Sequence, residues 1–200
     1  VLLDVLEVAH ARGILHRDIK PANVFLCADG RVRLLDFGLA RSPDSDAERL
    51  TLVGVPLGTP AFMAPEQARG ECDECDGRTD LYAVGATLFR MLSGRHPREG
   101  SSLEVLHQAA FSSPPRLREA AIEVDSDVCA LVDRSMANDA RERWSSAFEM
   151  AMEVERLMDI RRGRTQRRPP PATMRVIDPD PMGNQDTVIG VYAATLVDLS

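Results

Sequence analysis

His16-Arg17-Asp18-Ile19-Lys20-Pro21-Ala22-Asn23 is the stretch that decides this chain, together with Asp36-Phe37-Gly38 downstream. The first segment puts a carboxylate, an ammonium and a side-chain amide into one short loop. The second adds another carboxylate on a turn that a glycine can hinge. Between them, Val24-Phe25-Leu26 and Val32-Arg33-Leu34-Leu35 flank Ala28-Asp29-Gly30. Two apolar runs around an Asp-Gly pair predict a tight hairpin. Such a hairpin folds the two polar motifs back toward each other. Amide and carboxylate oxygens gathered in this way suit a hard divalent cation, and the lysine beside them suits phosphate.

Outward from this centre, the pattern is helical. Leu2, Leu3, Leu6 and Ala9 recur at helical spacing with Val5 and Val8 beside them, and Gly13 ends the segment. Residues 1–12 are therefore expected to be the end of a buried helix leading into the loop. From Arg41 to Pro60 the chain is polar and rich in Gly and Pro without a period, which predicts a long loop. Residues 79–92 are apolar nearly all round and belong to a helix at the centre of a domain, stopped by Gly94. Three further helices are predicted near 101–111, 126–137 and 145–160, the last with Ser145 or Ser146 near its start. After Ile160 come Arg161-Arg162-Gly163-Arg164-Thr165-Gln166-Arg167-Arg168 and Pro169-Pro170-Pro171, so residues 161–200 read as a linker or disordered tail with no core of their own. The basic run has the charge to meet anionic lipid or RNA, but a solvated linker is the preferred reading.

Composition narrows the function classes. The 200 residues carry a net charge of −7 and are 44% hydrophobic, with a mean hydropathy of −0.18, as expected of a soluble globular chain. No global basic field points to nucleic acid. No apolar run approaches the roughly 18 residues of a membrane span, and no charged n-region introduces the apolar start as a signal peptide. Because the first residue is Val1, the chain is expected to begin partway through a longer product. The four cysteines are Cys27, Cys72, Cys75 and Cys129, too few for a disulfide scaffold. Cys72 and Cys75 have metal or redox spacing, but Asp73, Glu74 and Asp76 surround them and no second pair follows, so surface-loop cysteines are preferred.

On the strength of residues 16–23 and 36–38, the chain resembles the eukaryotic-like serine/threonine protein kinases. Gly13-Ile14-Leu15-His16-Arg17-Asp18 preceded by His10, and Pro65-Glu66-Gln67-Ala68-Arg69-Gly70, look like the bacterial branch of that family. The resemblance covers residues 1–160 and implies the large lobe of the catalytic domain, mainly α with a small β-hairpin. It implies Asp18 as the residue that orients a substrate hydroxyl and Lys20 as the cation on the γ-phosphate of ATP. Asn23 and Asp36 would be ligands to Mg2+, with Phe37 and Gly38 completing the second motif. Lys20 points to serine or threonine acceptors, and Gly58-Thr59-Pro60 agrees, with Thr59 expected to contact Asp18 and Lys20. Glu66 and Arg143 would form a buried ion pair. Asp80 would bond the backbone of the His16-Arg17 turn, unless it is a plain helix cap. Arg17 before the catalytic Asp implies control by loop phosphorylation; Thr51 is the chosen phosphosite, with an ordinary loop threonine as the alternative.

The family's small lobe is not represented: no G-x-G-x-x-G occurs, and Lys20 is the only lysine. An N-terminally truncated large lobe is therefore expected, binding ATP weakly and turning over poorly by itself. A non-catalytic lobe that binds proteins is the alternative function. The expected partners are ATP and a protein with a serine or threonine acceptor, with a kinase homodimer open. Neither nucleic acid nor a membrane span is expected for this segment, and the expected location is cytoplasmic.

Overall fold

Asp76 starts the helix around which the rest is arranged. Its carboxylate accepts the backbone N–H of Arg78 at 2.8 Å, and its own N–H is received by Oγ1 of Thr79 at 3.3 Å. This reciprocal cap sits a turn ahead of the expected start, because Thr79 serves as the return partner inside the helix. A computed structural model describes residues 1–27, 32–35, 60–121 and 123–165. In chain order the elements are α1 (Leu2–His10), the strands β1 (Val24–Leu26) and β2 (Val32–Leu34), α2 (Pro65–Ala68), α3 (Gly77–Ser93), α4 (Ser102–Phe111), α5 (Leu117–Ala120), α6 (Ser126–Ser135) and α7 (Ala147–Thr165). The strands pair antiparallel with Phe25 opposite Arg33. The described residues are thus mostly helical with one two-stranded sheet.

Helix α3 fills the middle, with Leu81, Tyr82, Ala83, Val84 and Ala86 all buried, and it touches α1, α5, α6 and α7. Helix α6 supplies Leu131 and Val132 to the same core, and Trp144 and Met150 close it from the α7 side. Trp144 is buried with its indole N–H donating to Oγ of Ser135 at 3.0 Å, so its one polar group is satisfied. Each large apolar side chain buried here contributes about 1.5–3 kcal/mol.

Close contact between α3 and α6 depends on Gly85. A Cβ there would stand 2.5 Å from Cβ of Ser135 and 3.0 Å from Cγ of Met136. Ser135 is fully buried and its hydroxyl donates to the carbonyl of Leu131 at 2.8 Å, so it has little room to yield. We expect Gly85→Ala to lower stability by about 1–3 kcal/mol, despite a helix-propensity gain of about 1 kcal/mol. A urea titration reads this directly; a midpoint at or above the parent's would mean that the helices can separate without cost.

Two expectations change. Among the described residues helix α1 is buried on one face only: Leu6 and Ala9 are buried, whereas Val5 and Val8 are exposed. Helix α7 continues through Arg161 to Thr165, past the expected end at 160. Arginine is a good helix former, and Arg162 pairs with Asp159 one turn back. At the other end of α7, Ser146 accepts the N–H of Glu149 at 3.0 Å while Glu149 reaches back to the N–H of Ser145 at 2.7 Å. The tail beyond Thr165 and the long loop expected from Arg41 lie outside the described residues. Among those residues no helix is long and apolar enough to cross a membrane.

Candidate active site

Local chemistry gathers three polar side chains. Lys20 Nζ donates to Oδ2 of Asp18 at 2.8 Å. Asn23 Nδ2 donates to the carbonyl of Asp18 at 2.8 Å and to its Oδ2 at 3.2 Å. Proline at position 21 starts a 3-10 turn over Pro21–Asn23, closed by the N–H of Asn23 on the carbonyl of Lys20 at 3.0 Å, and this turn swings Asn23 back over Asp18. The hairpin joins the same loop, because the N–H of Leu35 donates to the carbonyl of Asn23 at 2.8 Å. Asp36, Phe37, Gly38, Thr51 and Thr59 lie outside the described residues.

The loop is held from behind by side chains distant in sequence. Asp80 is fully buried on α3, and its Oδ2 accepts the N–H of His16 at 2.9 Å while Oδ1 accepts the N–H of Arg17 at 2.8 Å. The cap of α3 is Asp76, so Asp80 is not a plain cap. His10 adds a third bond from Nε2 to Oδ2 of Asp80 at 2.8 Å. A Cβ at Gly77 would stand 2.7 Å from Nδ1 of His10, so only glycine leaves room for that ring. His16 is buried too. Its Nδ1 accepts the N–H of Asp18 at 3.3 Å and its Nε2 lies 3.0 Å from the carbonyl of Leu35, a pattern that one neutral tautomer satisfies.

Arg17 has φ of 64°, a left-handed conformation that costs a side-chain-bearing residue about 1–2 kcal/mol. Its N–H goes to Asp80, and its carbonyl receives Nε2 of Gln67 at 3.0 Å. That kink precedes Asp18 and turns it toward Lys20 and Asn23. His10, Gln67 and Gly77 were not assigned to the site from sequence. Gln67 carried a signal in standing next to Glu66, but nothing local tells which backbone group its amide meets.

Glu66 and Arg143 stand against each other with two bonds, Nη1 to Oε1 at 2.8 Å and Nη2 to Oε2 at 2.9 Å. Thr79 Oγ1 donates to Oε1 at 2.8 Å, and Nε of Arg143 donates to the carbonyl of Ala137 at 2.8 Å. The guanidinium also lies 4.9 Å from the ring centre of Tyr82. Burial alone would raise the carboxyl pKa of Glu66, but the bonds and charge of Arg143 outweigh it and hold Glu66 below its ordinary value. The pair sits behind α2 and ties it to the turn before α7.

Cys75 is half-buried, with Sγ 3.6 Å from the carbonyl of Glu71. Among the described residues no group of three or more His, Cys, Asp or Glu is placed to hold a metal.

The protein kinase domain model matches residues 1–155 of this chain. The chain belongs to the protein kinase family. Among its relatives is a probable serine/threonine-protein kinase of Streptomyces coelicolor, 36% identical over 159 residues, covering 79% of this chain and 23% of that protein. The serine/threonine-protein kinase PknB of Mycobacterium tuberculosis is 35% identical over 155 residues, covering 76% of this chain and 24% of PknB. A probable serine/threonine-protein kinase of Corynebacterium efficiens is 37% identical over 161 residues, covering 76% of this chain and 24% of the relative. The chain thus spans about a quarter of the length of these kinases. Membership of the protein kinase family implies ATP and a divalent metal as ligands of the family.

Proposed function

We propose that the protein carrying this chain transfers the γ-phosphoryl group of ATP to a serine or threonine hydroxyl of a protein. The observation behind this is the Lys20–Asp18–Asn23 group on a backbone clamped by Asp80. Asp18 accepts a hydrogen bond from the acceptor hydroxyl and orients its oxygen toward the γ-phosphorus. A bond forms from that oxygen to phosphorus, the bond to the bridging oxygen of ADP breaks, and the hydroxyl proton passes to Asp18. Lys20 sets its ammonium against the negative charge on the phosphoryl group. Asn23 turns Nδ2 to Asp18, so Oδ1 is the end left for a cation; the resemblance adds the Asp36 carboxylate, and the two together would suit Mg2+. Bound there, Mg2+ would neutralise charge on the nucleotide phosphates.

Residues 1–160, with α7 running on to Thr165, would be the large lobe of the catalytic domain and the remainder to 200 a linker or tail, working in the cytoplasm where ATP is abundant. Thr51 remains the proposed phosphosite and Thr59 the proposed contact of Asp18. No observation favours the protein-binding alternative. The test is phosphate transfer from labelled ATP to a serine/threonine peptide mixture by the whole gene product. Asp18→Asn should lower the rate by about 100- to 10,000-fold. Undiminished transfer by this variant would remove Asp18 from the chemistry.

A further inference from the structure

Arg17 is the one described residue other than glycine with a positive φ, and both of its peptide neighbours are anchored from outside the loop. The amide side is held by Asp80 of α3; the carbonyl side is held by Gln67 of α2. Gln67 also accepts, through Oε1, the N–H of Ala64 at 3.4 Å, as the return partner in the cap of α2. With Oε1 used for the cap, the amide can turn only Nε2 toward Arg17, so one side chain does two separable jobs. Glu66, its neighbour in sequence, fastens α2 to Arg143 in the buried interior. The position of α2 is therefore fixed on one side by the ion pair and handed to the Asp18 loop on the other by a single N–H.

We propose that Gln67 is a positioning residue for Asp18, holding the strained Arg17 peptide and making phosphoryl transfer sensitive to the placement of α2. This rests on the kinase reading above. Its effect belongs in kcat, because Gln67 touches neither proposed substrate and acts only on the direction in which Asp18 points.

Two substitutions separate the jobs. Gln67→Glu keeps an acceptor for the Ala64 N–H but sets a carboxylate oxygen against the Arg17 carbonyl. Gln67→Lys keeps a donor for that carbonyl and loses the acceptor. In the whole gene product, with labelled ATP and a serine/threonine peptide mixture, Gln67→Glu should lower kcat by tens of fold up to about 100-fold, while KM for ATP stays within about 2-fold and the melting temperature stays near the parent's. Gln67→Lys should keep kcat within about 3-fold and melt lower. Parent-like kcat in Gln67→Glu, or equal loss of kcat in both variants, would overturn the proposal. Asp18→Asn run alongside distinguishes the failures: parent-like transfer there would defeat the kinase site itself.

Discussion

Arg143→Met is expected to lower the stability of this chain by about 3–5 kcal/mol, the largest effect of any single substitution considered. The cost comes less from the lost attraction than from what remains: Glu66 would stay buried on α2 with only the Thr79 hydroxyl as a side-chain partner. The carbonyls of Ala137 and Asn138 would also lose their donors. Domains of this size melt about 2–4 °C lower per kcal/mol, so the drop should be on the order of 10 °C.

The pH dependence should reverse sign between parent and variant. In the parent, Glu66 is held below its ordinary value, so the folded state binds its proton more weakly than the unfolded state. That contribution is complete above the unfolded value of 4.5 and is lost as the pH falls through the lower folded value. In Arg143→Met, burial without a cation raises the Glu66 pKa above the unfolded value, and stability is then lost as pH rises through it. The deficit of the variant should therefore be smaller at pH 4 than at pH 7. Melting curves at both values check this, and a deficit that is constant or grows on acidification would show that Glu66 is not what Arg143 neutralises.

Asp80→Asn should be the largest effect on the reaction outside the loop itself. The carboxylate takes three donors, and an amide can accept at only one of its two ends. Its NH2 must then face either the His16 and His10 donors or the Arg17 N–H. With that clamp gone, the Arg17 kink can relax and Asp18 turns away from Lys20. We expect kcat of the whole gene product to fall by about 100-fold and the chain to lose about 1–3 kcal/mol for the unsatisfied donors. Hydrogen exchange supplies a readout independent of activity: the His16 and Arg17 amides should be protected in the parent and exchange far faster in Asp80→Asn. Equal protection in both would mean that other contacts hold the loop.

The legible part of this protein was the part written in short-range spacing. Asp18, Lys20 and Asn23 stand within one loop, and a proline-started turn brings them together whatever lies around them. The antiparallel pairing of β1 and β2 matches the expectation from two apolar runs, the Asp29-Gly30 turn between them lying outside the described residues, and the helices followed from their periods and caps. The end of α7 was misjudged because a basic run looks like a linker, although arginines continue a helix well. The resemblance joined Glu66 to Arg143 and Asp80 to the loop, pairings that no local rule could reach across 77 and 64 residues. A plain helix cap was the alternative to the anchor that the resemblance implied for Asp80, and the observed cap at Asp76 is what separated them. His10, Gly77 and Gln67 were decided only by tertiary structure. A histidine on a helix, a glycine at a helix start and a glutamine beside a buried glutamate each have many uses. What selects one is the atom that folding brings within 3 Å, because hydrogen bonds and steric contacts are made between surfaces that the chain order does not place side by side.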